Sequence, residues 1–252
     1  MSDKAAVIIP ARYGSARFPG KALVSIRSKP VIQWVYEAVS QSRLINKVII
    51  ATDDQRIYNA VIQFGGTVIM TSSKARTGSD RCAEVAERLE EDIIINLQAD
   101  ELLKGHEMID ELLHILMEDP AIKMGTLKKE ITDPEELWDR NVVKVVTDNE
   151  GYALYFSRSP IPHVRDKVLS DEERLPYKTF YKHLGIYAFR RDFLLLFSTL
   201  PAARLEELEK LEQLRAMECG FRIKVKETVY ESYRIDTPED LKELEEALSH
   251  GQ

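Results

Sequence analysis

The chain has 252 residues, with 35 Lys and Arg against 42 Asp and Glu, a formal net charge of −7, and 44% apolar residues. That length buries a full core without staples, and the negative balance argues against a protein that coats nucleic acid or anionic lipid. The longest apolar stretches, at 5–9, 93–95 and 194–197, fall far short of the roughly 20 residues of a membrane span. With no signal-like start, the expectation is a cytoplasmic protein without a membrane anchor. Cys82 and Cys219 lie far apart, with no CxxC and no Cys/His cluster, so neither zinc nor a disulfide framework is suggested.

The first half alternates short apolar runs with helical patterns. Ala6–Pro10 reads as a buried strand, followed by a Gly- and Arg-rich loop to Lys21. Apolar residues at 31, 32, 34, 35, 38 and 39 predict a helix over 31–42. Strands are expected at 47–53, 67–71 and 92–97, with helices at 54–64 (closed by Gly65-Gly66) and 79–91. This βαβ rhythm, with strands of solid Val and Ile, predicts an α/β fold: a doubly wound, mostly parallel sheet covered on both faces. The second half predicts paired strands at 142–147 and 151–158, a Pro-containing loop at 160–177, a strand at 180–189, a helix at 206–219 and a strand at 222–228. Thr237 and Asp240 form a capping box, with Pro238 in the first turn of a last helix. The organisation expected is one domain, 1–252, with a small mixed lobe inserted at about 140–195 and strands beyond it rejoining the first sheet.

The loop after the first strand is the most informative stretch. It leaves the C-terminal end of a buried strand, where open α/β sheets put their ligands. Gly14 and Gly20 let backbone approach a ligand, while Arg12, Arg17 and Lys21 offer charge for phosphate oxygens. A solvated basic loop is the plainer alternative. The run is neither GxGxxG nor GxxxxGK[ST], since Ala22 follows Lys21, which counts against a dinucleotide-dependent dehydrogenase and a P-loop ATPase. Asp100 and Asp236 both sit at strand-to-helix junctions, places suited to holding Mg²⁺ with phosphate oxygens. A strand-end turn for Asp100 and a helix-start device for Asp236 account for them equally simply. Gly78-Ser79 alone is a turn and N-cap, the segments around Tyr155 and His183 read first as half-buried strands, and 205–217 as an amphipathic helix with leucines spaced by three.

The loop IPAR-x-x-S-x-R-x-P-G-K, from Ile9 to Lys21, resembles the signature of sugar-activating nucleotidyltransferases, and with the later stretches it is similar to the 3-deoxy-manno-octulosonate cytidylyltransferases. The likeness runs from Val7 to about Leu244. It implies that Pro10, Ala11 and Arg12 lie against the nucleotide and Lys21 holds its phosphates. Thr71 and the segment Thr77-Gly78-Ser79-Asp80-Arg81 resemble the base-binding part, implying roles for Thr71, Ser79 and Arg81. Gln98, Asp100 and Glu101 match a Q-G-D-E-P segment, and Asp236 to Asp240 match D-T-P-E-D. The resemblance implies that Asp100 and Asp236 bind Mg²⁺, with Gln98 touching nucleotide and sugar. The runs Tyr155-Phe156-Ser157-Arg158 and His183-Leu184-Gly185-Ile186-Tyr187 resemble segments whose Arg, His and Tyr contact the sugar acid. Leu211-Glu212-Gln213-Leu214-Arg215 resembles a helix whose Glu and Gln do so.

The activity implied is CTP plus 3-deoxy-manno-octulosonate giving the CMP-sugar and pyrophosphate, for lipopolysaccharide biosynthesis, by a homodimer that binds neither nucleic acid nor membrane. Two alternatives stay open: the same chemistry on an 8-amino octulosonate or another acidic keto sugar, and a catalytically weak nucleotide-binding relative. The second is motivated by Ala99 where the family has Gly and Leu102 where it has Pro. If that glycine serves a left-handed backbone, Ala99 strains the turn by about 1–2 kcal/mol. Arg234, in place of a family glycine, brings a cation toward the expected metal ligand.

Overall fold

The computed structural model describes residues 3–14, 18–165, 175, 178–235 and 237–242. In chain order its first half runs β1 (Ala5–Ala11), β2 (Ser25–Ile26), β3 (Lys29–Pro30), α1 (Val31–Val39), β4 (Lys47–Thr52), α2 (Gln55–Gln63), β5 (Val68–Met70), α3 (Gly78–Ala86), β6 (Ile93–Asn96) and β7 (Glu101–Leu103). The second half follows with α4 (Glu107–Glu118), β8 (Met124–Glu130), α5 (Pro134–Trp138), β9 (Lys144–Thr147), β10 (Ala153–Ser157), β11 (Tyr181–Arg190) and α6 (Arg191–Thr199). The last labelled elements are α7 (Arg204–Glu209), α8 (Gln213–Glu218), β12 (Lys224–Glu227) and β13 (Ser232–Arg234).

The main sheet has the order β10-β9-β11-β6-β1-β4-β5, with β8 pairing β11 and β12. At its centre β6, β1, β4 and β5 run parallel. All of β1 and β6 is buried, because alternate residues face two different cores. Val7 and Ile9 pack with α1 and α4, whereas Ala6 and Ile8 pack with α3 and α6. That is the doubly wound arrangement the unbroken Val/Ile runs require. The later strands do rejoin this sheet: β11 lies antiparallel to β6, and β9 and β10 form a hairpin on its flank. The about 140–195 segment thus contributes three strands to the common sheet.

The structure corrects one expected element. The continuous helix over 206–219 is two short helices, broken at Lys210, whose backbone is left-handed (φ 54°). Its regular leucine spacing does not mark one face, since Leu208 is exposed while Leu211 and Leu214 are buried. The helix expected over 79–91 begins at Gly78 and ends at Ala86. Ala99 is not among the described residues with positive φ, so the anticipated left-handed strain is absent, and its methyl joins the core. Leu102 is buried in β7, paired with Tyr233 of β13.

Candidate functional site

The loop from Arg12 to Lys21 is closed by contacts at its two ends. The Gly20 amide donates to the Tyr13 carbonyl at 2.9 Å. Gly20 is left-handed (φ 73°), and a Cβ there would lie 3.0 Å from the Tyr13 ring, so no other residue fits without displacing it. That ring also carries the Arg56 guanidinium, 3.2 Å from its centroid. Arg56 is in turn held by both oxygens of Asp54, the N-cap of α2. Arg17 lies outside the described residues.

Lys21 leaves this loop toward the C-terminal edge of β6. Its ammonium pairs with Asp100 Oδ2 and donates to the Ile235 carbonyl at 2.9 Å. The Ile235 amide donates back to the Asp100 carbonyl at 2.9 Å. Residues 21, 100 and 235, distant in sequence, therefore meet at one point, and both side chains of the pair are largely buried. Asp236, next in the chain after Ile235, lies outside the described residues. Magnesium takes hard oxygen donors and is commonly held by one or two carboxylates with the remaining positions left to substrate phosphates and water. Asp100 is a donor of that kind. Among the described residues no group of three or more His, Cys, Asp or Glu converges on a metal position.

A cleft of about 460 Å³ is lined by Pro10, Ala11 and Arg12 from β1 and its loop, by Arg76, Thr77, Gly78 and Arg81 around the start of α3, and by Gln98. The N-cap Thr77 Oγ1 accepts from the Asp80 amide at 3.1 Å, fixing where the helix begins. Gly78 is required by packing rather than dihedral freedom: a Cβ would sit 2.8 Å from Gln98 Nε2 and 3.3 Å from Pro10 Cγ. Arg81 is buried and committed within the protein, pairing with Asp53 at 3.2 Å and donating to Thr71 Oγ1. Of the expected nucleotide-side residues, Pro10, Ala11, Arg12, Arg81 and Gln98 border the cleft. Thr71 and Ser79 are buried and do not line it, and neither does Lys21, which pairs with Asp100.

A larger cavity, about 1110 Å³, shares Gln98 with the cleft and is bordered by Arg158, His183, Tyr187, Glu212 and Gln213. Three parts of the chain bring these five together: the end of β10, strand β11 and the start of α8. Arg158 directs its guanidinium at backbone carbonyls: Nε to Glu209 at 2.7 Å, Nη1 to Arg140 at 2.9 Å and Nη2 to Lys210 at 3.4 Å. Among the described residues no carboxylate pairs with it, so it brings net positive charge and spare N–H donors to the cavity wall. The left-handed turn at Lys210 is held by these same bonds, and it sets Glu212 and Gln213 at the cavity.

His183 packs between Phe156 and Tyr187, and this burial, with Arg234 adding to it, pushes its pKa down to about 3. The single Thr126 hydroxyl proton is directed to the Ile186 and Leu184 carbonyls at 2.8 and 3.1 Å, across the β11 bulge. Thr126 Oγ1 must then accept from His183 Nε2 at 2.9 Å, which leaves Nδ1 as the acceptor nitrogen of a neutral ring. Burial also raises the Tyr187 phenol and the Glu212 carboxyl, the latter partly offset by hydrogen bonds from Thr77 and Ser79. Sequence reasoning missed the Lys182–Glu136 ion pair and Asn141, which line this cavity; Arg234, expected as a cation toward the metal ligand, lines it as well. No motif marks these residues; only the β11 register and the α5 position bring them in.

Known proteins similar to this chain include cytidylyltransferases. A family model described as Cytidylyltransferase matches residues 6–228. A protein of Geobacter metallireducens named 3-deoxy-manno-octulosonate cytidylyltransferase is 53% identical over 99% of both chains. One of the same name from Geobacter sulfurreducens is 54% identical over 96% of this chain and 98% of its own. Among solved structures, a CMP:2-keto-3-deoxy-manno-octonic acid synthetase complexed with CTP superposes with a TM-score of 0.89 at 42% identity, covering 99% of this chain and 100% of that one.

Proposed function

The chain belongs to the 3-deoxy-manno-octulosonate cytidylyltransferase family, and from that premise we propose how its two cavities carry out the reaction. The enzyme transfers the cytidylyl group of CTP to 3-deoxy-manno-octulosonate, giving the CMP-sugar and pyrophosphate. The product serves lipopolysaccharide synthesis in the cytoplasm. One observation carries the assignment of parts: a cleft walled by three arginines and a larger cavity bordered by Arg158, which no carboxylate pairs with among the described residues, share Gln98.

CTP occupies the cleft, with Arg12 and Lys21 against its phosphates. The sugar acid occupies the larger cavity, its carboxylate on Arg158 and its hydroxyls on His183 Nδ1, Tyr187, Glu212 and Gln213. A neutral His183 suits this task, because it accepts from a hydroxyl without drawing the sugar carboxylate away from Arg158. Tyr187, kept protonated, donates. Asp100 and Asp236 would hold Mg²⁺, which would supply Lewis-acid polarisation of the α-phosphate. Without it, Lys21 neutralises Asp100; with a triphosphate present, the same ammonium is within reach of the leaving group's charge. The anomeric 2-hydroxyl oxygen bonds to the α-phosphorus as the bridging bond to the β-phosphate breaks, and the hydroxyl proton is released to water. No covalent protein intermediate is involved, so positioning and charge neutralisation carry the rate. The about 140–195 segment acts as the sugar-facing lobe, and the protein works as a homodimer; Leu154 on the edge strand β10 and Trp138 are exposed apolar residues that support this. Among the described residues no helix is long and apolar enough to cross a membrane.

The test is pyrophosphate release from CTP with 3-deoxy-manno-octulosonate, its 8-amino analogue and other keto sugar acids, with the CMP-sugar identified by mass. One pyrophosphate per CMP-octulosonate, and much slower release with the other acceptors, is expected. Preference for the 8-amino sugar overturns the acceptor, and CTP binding without any turnover overturns the reaction.

A further inference from the structure

Four side chains form a single chain of hydrogen bonds through the interior between the two cavities. Gln98 Nε2 donates to Asn96 Oδ1 at 3.0 Å, Asn96 Nδ2 donates to Ser79 Oγ at 3.0 Å, and Ser79 Oγ donates to Glu212 Oε2 at 2.9 Å. Asn96 and Ser79 are each 1% exposed and border neither cavity. Every proton runs the same way. An amide has one acceptor end and one donor end, and a hydroxyl has one proton, so fixing any link fixes the rest. With its Nε2 held inward by the Asn96 Oδ1 acceptor, Gln98 is left with Oε1 as its other end. At the far end Glu212 receives Ser79 at Oε2, with Thr77 also bonding its carboxylate, while among the described residues its Oε1 is buried with no close hydrogen-bond donor. Such an arrangement is costly in an empty protein and is retained where the polarity of a site matters.

We propose that Asn96 and Ser79 are positioning residues: a directional relay that presets Gln98 and Glu212 as hydrogen-bond acceptors for the hydroxyl donors of the bound sugar acid. This rests on the functional reading above and reassigns Ser79, which the resemblance placed on the base. Acting through Glu212 and Gln98, the relay governs acceptor binding and leaves the triphosphate contacts alone.

The test compares Ser79→Ala, Ser79→Thr and Asn96→Asp with the wild type. Asn96→Asp keeps the acceptor for Gln98 but replaces the Nδ2 donor by an oxygen, which turns the Ser79 proton away from Glu212. Ser79→Ala and Asn96→Asp are expected to raise KM for the sugar acid about tenfold, the worth of one hydrogen bond to a charged group. KM for CTP should stay within about twofold, and Ser79→Thr should restore the sugar KM. In a Glu212→Ala background Ser79→Ala should add nothing. Equal rises in both KM values, or full additivity with Glu212→Ala, would overturn the relay. A readout independent of turnover is the side-chain amide NMR of Gln98 and Asn96 in the ligand-free protein. Both should be protected from exchange in the wild type, and both should be shifted by Ser79→Ala. Unprotected or unshifted amides also overturn the relay, whereas a wild type that shows them and turns over no sugar acid refutes the function alone.

Discussion

Asp100→Asn is the most informative single change at the point where the loop meets the sheet. Asparagine keeps the volume and leaves the backbone bond from the Ile235 amide to the Asp100 carbonyl intact. It removes one negative charge from Lys21, whose ammonium then retains the Ile235 carbonyl. The pair is 14% and 13% exposed, between surface pairs worth less than about 1 kcal/mol and buried ones costing about 3–5 kcal/mol to break. A loss of about 1–3 kcal/mol follows, which for a chain of this length lowers Tm by roughly 2–12 °C. The effect on turnover is separate and larger. Removing one electrostatic stabiliser of a reacting centre costs about 10²–10³ in kcat, and loss of a metal-binding carboxylate adds to it. Pyrophosphate release at saturating CTP and sugar acid, read beside far-UV circular dichroism at 25 °C, separates the two. A fall in kcat of about a thousandfold with an unchanged spectrum is expected. Turnover within a fewfold of wild type, or a loss matching the unfolded fraction, would refute the reasoning and leave Asp100 as the structural partner of Lys21.

Arg158→Lys keeps a charge but cannot reach three carbonyls and a carboxylate at once; KM for the sugar acid should rise about 10–100-fold while KM for CTP holds, and equal rises would count against a carboxylate role. Gly78→Ala pushes a methyl into Gln98 and Pro10, so both KM values should rise with little change in Tm; wild-type kinetics would mean the helix start can retreat at no cost. The folded pKa of His183, about 3, lies below its unfolded value near 6.5, so protons bind the unfolded chain more readily. The contribution of His183 is therefore constant above about pH 6.5, and stability falls by up to about 1.4 kcal/mol per pH unit below it. An NMR titration should leave the His183 ring neutral at pH 5, and a midpoint near 6.5 would contradict its enclosure.

The parallel half of the fold is legible because its strands are solid Val and Ile, while the cap of α3 is Thr77 rather than the Gly78-Ser79 turn the sequence suggests. The break at Lys210 is not legible: no glycine marks it, and the turn is held by Arg158, fifty-two residues earlier in the chain. Site residues set by local sequence, such as Arg12 and Gly78, are found where the motifs put them. Thr71 and Ser79 differ because a hydroxyl has no sequence signal for its direction; Arg81 and Glu212 take them inward. The α4 helix, with buried Met108, Ile109, Leu112, Leu113 and Leu116, carries a readable 3–4 period that the emphasis on motifs passed over.

The central claim is that Lys21, Asp100 and Asp236 share one metal-bound triphosphate. Crystals grown with CTP and Mn²⁺ in place of Mg²⁺ test it most directly through the anomalous signal of the metal. The account predicts a single strong peak touching the carboxylates of Asp100 and Asp236 and a triphosphate oxygen, with Lys21 turned onto the phosphates. A triphosphate bound away from Lys21, or manganese found only where neither carboxylate reaches it, would contradict it.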